Sequence, residues 1–137
     1  MLRILVTGGT FDKEYDEISG SLSFRETHLP EMLTLGRCRV ELVVQTVVML
    51  DSLHMTDVER QRVVEACRDC PELHLVVTHG TDTMVQTAEA IAHRVSQKTI
   101  VLTGAMVPYA FGSSDGLFNL GAHCRSPKCF RRASTWR

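Results

Sequence analysis

No stretch of this sequence reaches the roughly 18 consecutive apolar residues that a membrane-crossing helix needs. The opening residues, Met1 to Val6, place an arginine among a few apolar side chains, far short of the apolar core of a secretion signal. Both shortages read as a cytoplasmic chain. The five cysteines, Cys38, Cys67, Cys70, Cys124 and Cys129, are odd in number and too sparse for a disulfide scaffold, so reduced thiols are expected. Aromatic residues are only 6% of the chain, beside 44% hydrophobic and 23% charged, a balance ordinary for a soluble globular protein and without the mark of disorder or collagen. Internal repeats, low-complexity tracts and interdomain linkers are missing too. The 137 residues therefore read as one domain with its own core.

Four short apolar runs rich in β-branched residues and bounded by turn signals read as strands: Arg3 to Val6, Val40 to Val44, Leu73 to Val77 and Thr99 to Leu102. Their apolarity is continuous, not alternating, which points to a sheet covered on both faces. Helical patterns lie between them. Thr56 and Glu59 form a capping-box pair ahead of Val63, Val64 and Cys67. A second helix is expected from about Asp82 to Val95, with Met84, Ala88, Ile91 and Val95 on one face. A shorter one spans Pro30 to Leu35 and is stopped by Gly36, and another begins near Ser114. Strands alternating with helices give an α/β fold of three layers, a largely parallel sheet with helices on both faces.

Three of these strands end alike, in Thr7-Gly8-Gly9-Thr10, Thr78-His79-Gly80-Thr81-Asp82 and Thr103-Gly104-Ala105. Ligands of open parallel sheets bind beyond the carboxyl ends of the strands, so the three loops are expected to converge on one pocket. Glycines let backbone approach a ligand, and the helix after Thr81-Asp82 turns its positive end toward the same place, which favours an anion or a developing oxyanion. Either of the first two loops alone reads equally as a tight turn or a helix cap. A nucleotide site is disfavoured, because Gly8-Gly9 is followed by neither the lysine of a phosphate-binding loop nor the last glycine of a dinucleotide fingerprint.

Together with Met106, Pro108, Ser114-Asp115-Gly116 and Asn119-Leu120, these motifs resemble the bacterial-type L-asparaginases over about residues 3 to 122. The fold that the resemblance implies is the N-terminal domain of that family, Rossmann- or flavodoxin-like. It implies hydrolysis of L-asparagine to L-aspartate and ammonia in two steps, through a threonine nucleophile and an acyl-enzyme, with no metal or organic cofactor. Thr10 takes the place of the nucleophile, Thr81 and Asp82 that of the threonine-aspartate pair, and Tyr15 that of the tyrosine on the mobile loop. A threonine hydroxyl is a poor nucleophile at neutral pH and needs a partner to accept its proton. Ser52 maps onto the substrate-binding serine of the loop after the second strand, and Gly9, Gly80 and Ala105 fall in the substrate-binding loops. Leu53 stands where a glutamine is common, and Asp51 is expected to supply the polar contact instead. The segment Phe11 to Phe24, with Gly20 and several polar residues, suits a lid as well as it suits a surface loop. Family members are usually homo-oligomers, and many carry a second domain.

The chain changes character after Ala122. Arg125, Lys128, Arg131, Arg132 and Arg137 fall in the last 13 residues, whereas the rest of the chain carries ten basic side chains against sixteen acidic ones, a net of −6. A basic tail on an acidic body is one pattern of a nucleic-acid or membrane-surface arm. Residues 123–137 are instead expected to be a frameshift, since reading the back-translated codons one frame over permits an apolar helix, a Pro-Pro-Gly turn and another buried strand. The domain then occupies residues 1–122, neither nucleic acid nor membrane is a partner, and activity is expected to be crippled, because no residue matches the family's downstream lysine. Cys67, Cys70, Cys124 and Cys129 are not read as a zinc site, the first pair lying at a helix end and the last in the tail. Packing or hydrogen bonding is expected of His79. His28, His54, His74 and His93 are expected at the surface or at helix ends, and Met49, Met55, Met84 and Met106 in the core.

Overall fold

A computed structural model describes residues 1–124. Residues 125–137, with the basic side chains, Cys129 and all but His123 and Cys124 of the segment expected to be a frameshift, lie outside the described residues. The chain runs β1 (Leu2–Gly8), β2 (Lys13–Asp16), β3 (Ser21–Phe24), α1 (Leu29–Leu35), β4 (Leu42–Leu50), α2 (Asp57–Asp69), β5 (His74–Thr78), α3 (Met84–Arg94), β6 (Thr99–Thr103) and α4 (Gly116–Cys124). Strands β4, β1, β5 and β6 pair in that order, all in parallel. From β1 the chain goes outward to β4, then returns past β1 to β5 and β6. The strand order therefore reverses between β1 and β5, and the crevice beyond their carboxyl ends is the topological switch point of the sheet.

Side-chain alternation along each strand builds two cores. Leu2, Ile4 and Val6 of β1 and Val76 of β5 face one way and pack with Leu29 and Met32 of α1 and Leu120 and Cys124 of α4. Leu5, Leu75 and Val77 face the other way, against Val63, Val64 and Cys67 of α2 and Ile91 of α3. The sheet is thus an apolar layer between two helical ones, the three-layer α/β arrangement that the continuous apolar runs imply.

Element boundaries differ from the sequence reading at several points. Strand β4 runs on to Leu50, because Gln45 and Thr46 are exposed positions inside the strand and not its end. Its register against β1 shifts between the pairs Val6 with Thr46 and Gly8 with Leu50, so β4 bulges just before it delivers Asp51 and Ser52. Helix α3 starts at Met84, two residues after Asp82, and α4 starts at Gly116. At the end of α1 the left-handed residue is Arg37, with φ 49°, one place beyond Gly36, and the amides of Arg37 and Cys38 return to the carbonyls of Thr34 and Leu33. The lid segment is an ordered β2–β3 hairpin. Met55 is buried as expected, but Met106 is 74% exposed on the loop after β6. His28 sits in a half-buried cluster, its Nε2 3.1 Å from Glu14 Oε1 without hydrogen-bond alignment and its ring 5.6 Å from that of Tyr109. Among the described residues no helix is long and apolar enough to cross a membrane.

Candidate active site at the carboxyl edge of the sheet

The loops leaving the four parallel strands touch one another, and glycine makes the contact possible. Gly9 has φ 69°, and a Cβ built on it would lie 2.8 Å from Gly80 Cα and from the His79 carbonyl carbon, closer than real side chains approach. A Cβ on Gly80 would lie 2.7 Å from Ser52 Cβ, and one on Gly104 would lie 2.8 Å from the His79 carbonyl oxygen and 3.1 Å from Thr81 Cγ2. Loops from β1, β4, β5 and β6 are therefore packed backbone to backbone at the switch point. Side-chain hydrogen bonds from Thr7 Oγ1 to the Thr78 carbonyl at 2.7 Å and from Thr83 Oγ1 to the Ser52 carbonyl at 2.9 Å tie them, beside backbone bonds from the Gly9 amide to Leu50 and from the His79 amide to Thr103.

Thr10 opens a short 3-10 turn directly after Gly9 and is half-buried, while Thr81 and Asp82 are exposed on the adjoining loop. Among the described residues none of these three side chains makes a hydrogen bond. Ser52 is 1% exposed, and its buried hydroxyl, packed against Gly80, also lacks a partner among them. An unpaired buried hydroxyl costs about 1–3 kcal/mol, so such groups mark sites where a ligand or water completes the bonding. Ala105 is 2% exposed in the fourth loop.

Asp51 accepts from the Leu53 amide and from Lys13 Nζ at 2.5 Å, and the Lys13 contact holds its carboxyl below the usual range. That ion pair fastens the β2–β3 hairpin to the loop after β4. Tyr15 belongs to the same hairpin but is 56% exposed, with Leu22 as its cross-strand partner. Among the described residues the Tyr15 side chain makes no hydrogen bond to the Gly9–Gly80 junction.

Three supporting groups are given no role by sequence reasoning, although Asp115 and Asn119 fall within the motifs it names. Asp12, fully buried, accepts from the His28 amide at 2.8 Å and from the Thr27 hydroxyl, which fixes the turn holding Thr10 to the start of α1. Burial pushes its carboxyl above the usual range, against those hydrogen bonds. Asp115 accepts the Met106 and Val107 amides at 3.0 Å and Asn119 Nδ2 at 3.0 Å, while Asn119 also donates to the Gly104 carbonyl at 2.9 Å. Together these two residues staple the loop that carries Ala105. Thr87 Oγ1 of α3 lies 2.8 Å from Nε2 of the buried His79 ring.

The arrangement presents threonine and serine hydroxyls on a glycine-lined crevice, a setting for attack on a small polar substrate. An apolar groove of about 410 Å³ between α1 and α4, lined by Met32, Leu33, Leu117 and Leu120, shares no residue with it. Among the described residues no three His, Cys, Asp or Glu side chains form a cluster that would hold a metal ion.

The family model described as Asparaginase, N-terminal, matches residues 1–126. This chain belongs to the asparaginase family. L-asparaginase 1 of Escherichia coli K12 is 30% identical over 131 residues, which are 85% of this chain and 37% of that protein. A probable periplasmic L-asparaginase of Haemophilus influenzae is 32% identical over 130 residues, 87% of this chain and 36% of the relative. The solved structure of a probable cytoplasmic L-asparaginase from Campylobacter jejuni superposes with a TM-score of 0.76 at 28% identity, covering 90% of this chain and 40% of that one. The chain thus spans well under half the length of the relatives it matches. Amide hydrolysis of asparagine is an activity of the family, and the α/β fold is that of its N-terminal domain.

Proposed function

We propose that this chain hydrolyses L-asparagine to L-aspartate and ammonia, with Thr10 as nucleophile. In the first step the Thr10 hydroxyl oxygen bonds to the side-chain amide carbon, its proton passes by way of the Thr81–Asp82 side of the crevice to the amide nitrogen, and the C–N bond breaks to release ammonia. In the second a water attacks the resulting ester carbon, the ester C–O bond breaks to free aspartate, and a proton of that water goes to the Thr10 oxygen. Ser52, Asp51 and the backbone of Gly9, Gly80 and Ala105 hold the amino-acid end of the substrate, and Tyr15 closes with the hairpin. The observation that carries the reading is the packing of Gly9 on Gly80, which sets the Thr10 turn beside the Thr81 loop at the switch point.

The exposure of Thr81 and Asp82 favours one second reading: an amino-acid-binding domain without catalysis. We further infer a cytoplasmic homo-oligomer, a reading in keeping with the free thiols of Cys38, Cys67, Cys70 and Cys124. Ammonia release from L-asparagine by the purified chain, with Thr10→Ala as control, separates the two functions. Release that the control abolishes supports the hydrolase, and binding of L-asparagine with no release supports the binding domain.

A further inference from the structure

His79 is fully buried and both of its ring nitrogens are engaged. Nδ1 lies 2.7 Å from the Gly80 carbonyl oxygen, which can only accept, so Nδ1 carries the proton. Nε2 lies 2.8 Å from Thr87 Oγ1. In a neutral ring Nε2 is bare, so the Thr87 hydroxyl donates to it. Its other contacts, the Thr83 carbonyl at 3.5 Å and Met55 Sδ at 3.7 Å, are much longer. The hydroxyl in turn accepts from Arg60 Nε at 3.1 Å, and Arg60 is held on α2 by Asp57. Every donor and acceptor in the chain from Arg60 to Thr87, His79 and Gly80 is satisfied in one direction only. Burial first, and the nearby Arg60 charge, hold the imidazole below its ordinary pKa and so keep it neutral.

From this we infer that Arg60 and Thr87 are positioning residues: they fix His79 as its Nδ1–H tautomer, and His79 thereby sets the orientation of the Gly80–Thr81 peptide in the site. The peptide is trans. With its carbonyl directed at the buried ring, the Thr81 N–H points the opposite way, to the outer side of the loop. Were the proton on Nε2, Nδ1 would face the Gly80 oxygen lone pair to lone pair, and the peptide would turn. The α2–α3 interface therefore reaches the crevice through three side chains, none of which meets substrate. This inference rests on the site reading given above.

The test is nitrogen-15 NMR of the histidine rings in the full chain, combined with titration of L-aspartate followed at the Thr81 amide. Wild type is expected to show His79 protonated at Nδ1. Thr87→Val removes the donor to Nε2 and is expected to lose that single tautomer, shift the Thr81 amide and weaken L-aspartate binding roughly tenfold, the loss of about one net hydrogen bond. Thr87→Ser should restore all three. A wild-type ring protonated at Nε2 overturns the inference even if Thr87→Val fails to fold. So does a folded Thr87→Val that keeps the tautomer and the affinity, or a Thr87→Ser that restores neither. If wild type binds no L-aspartate, the site reading fails instead, and the tautomer and the Thr81 amide still decide the relay.

Discussion

Gly9 and Gly80, 71 residues apart, meet backbone to backbone, with no room between them for a methyl group. Gly9→Ala is expected to destabilise the fold by about 2 kcal/mol or more, since the new Cβ collides with main chain at a positive φ. Urea unfolding measures the loss. A variant as stable as wild type would mean that the two loops are not in contact.

Asp115 controls the loop after β6. Its carboxylate is held below the usual range, first by the Met106 amide and then by that of Val107. Asp115→Ala should expose both amides to hydrogen exchange roughly tenfold faster while β5 keeps its protection. Because the folded carboxylate lies below its ordinary 3.8, its stabilising contribution is complete above that value and is lost as pH falls through the folded one. Unchanged exchange at Met106 and Val107 would remove the staple from the account.

His79 gives a dependence of the same sign as Asp115, at a higher pH and caused first by burial instead of by gained partners. Burial depresses the folded imidazole below 6.5, so as pH falls through 6.5 the unfolded chain binds a proton that the folded chain refuses. Stability is expected to drop across that window and to level once the folded ring also titrates. His79→Gln should flatten the drop relative to wild type in denaturation curves taken at about pH 7.5 and pH 5.5. A wild-type curve with the same slope as the variant would show that the buried ring is not neutral.

Asp12 is raised by burial, so stability falls as pH rises above its ordinary 3.8, where the unfolded carboxyl ionises first. Asp12→Asn keeps an acceptor for the His28 amide and is expected within about 1 kcal/mol of wild type at neutral pH, with a flatter profile. Asp12→Ala leaves the His28 N–H and the Thr27 hydroxyl unpaired and should cost about 1–3 kcal/mol. Thermal unfolding of the two variants across pH 3 to 7 checks both, and an Asn variant as damaged as the Ala one would contradict them.

Much of this fold is legible in the sequence because its signals are local. Continuous apolar runs mark β1 and β5 as strands buried on both faces and β6 as a strand that the structure leaves half-buried, and the Thr56–Glu59 pair marks the start of α2, where Glu59 accepts from both the Thr56 amide and its hydroxyl. The loops with Gly9, Gly80 and Gly104 announce close approach, and the structure puts all three at one junction. What stays hidden depends on partners far along the chain. Gln45 and Thr46 look like a strand end until β1 is known to lie beside them. Asp12 looks like a loop acid until the His28 amide is known to meet it, and Thr87 looks like a filler on α3 until the His79 ring is known to lie within hydrogen-bond distance. Tyr15 is matched by resemblance, yet it faces solvent on its hairpin, because a period-two strand sends alternate residues to opposite faces whatever their role.

The nucleophile is tested most directly by acid-quenching the purified chain during reaction with L-asparagine and mapping its peptides by mass spectrometry. The account predicts an aspartyl ester on the peptide containing Thr10, formed in wild type and absent from Thr10→Ala, alongside ammonia release that the same substitution abolishes. Ammonia release that survives Thr10→Ala, with no adduct on that peptide, would contradict it.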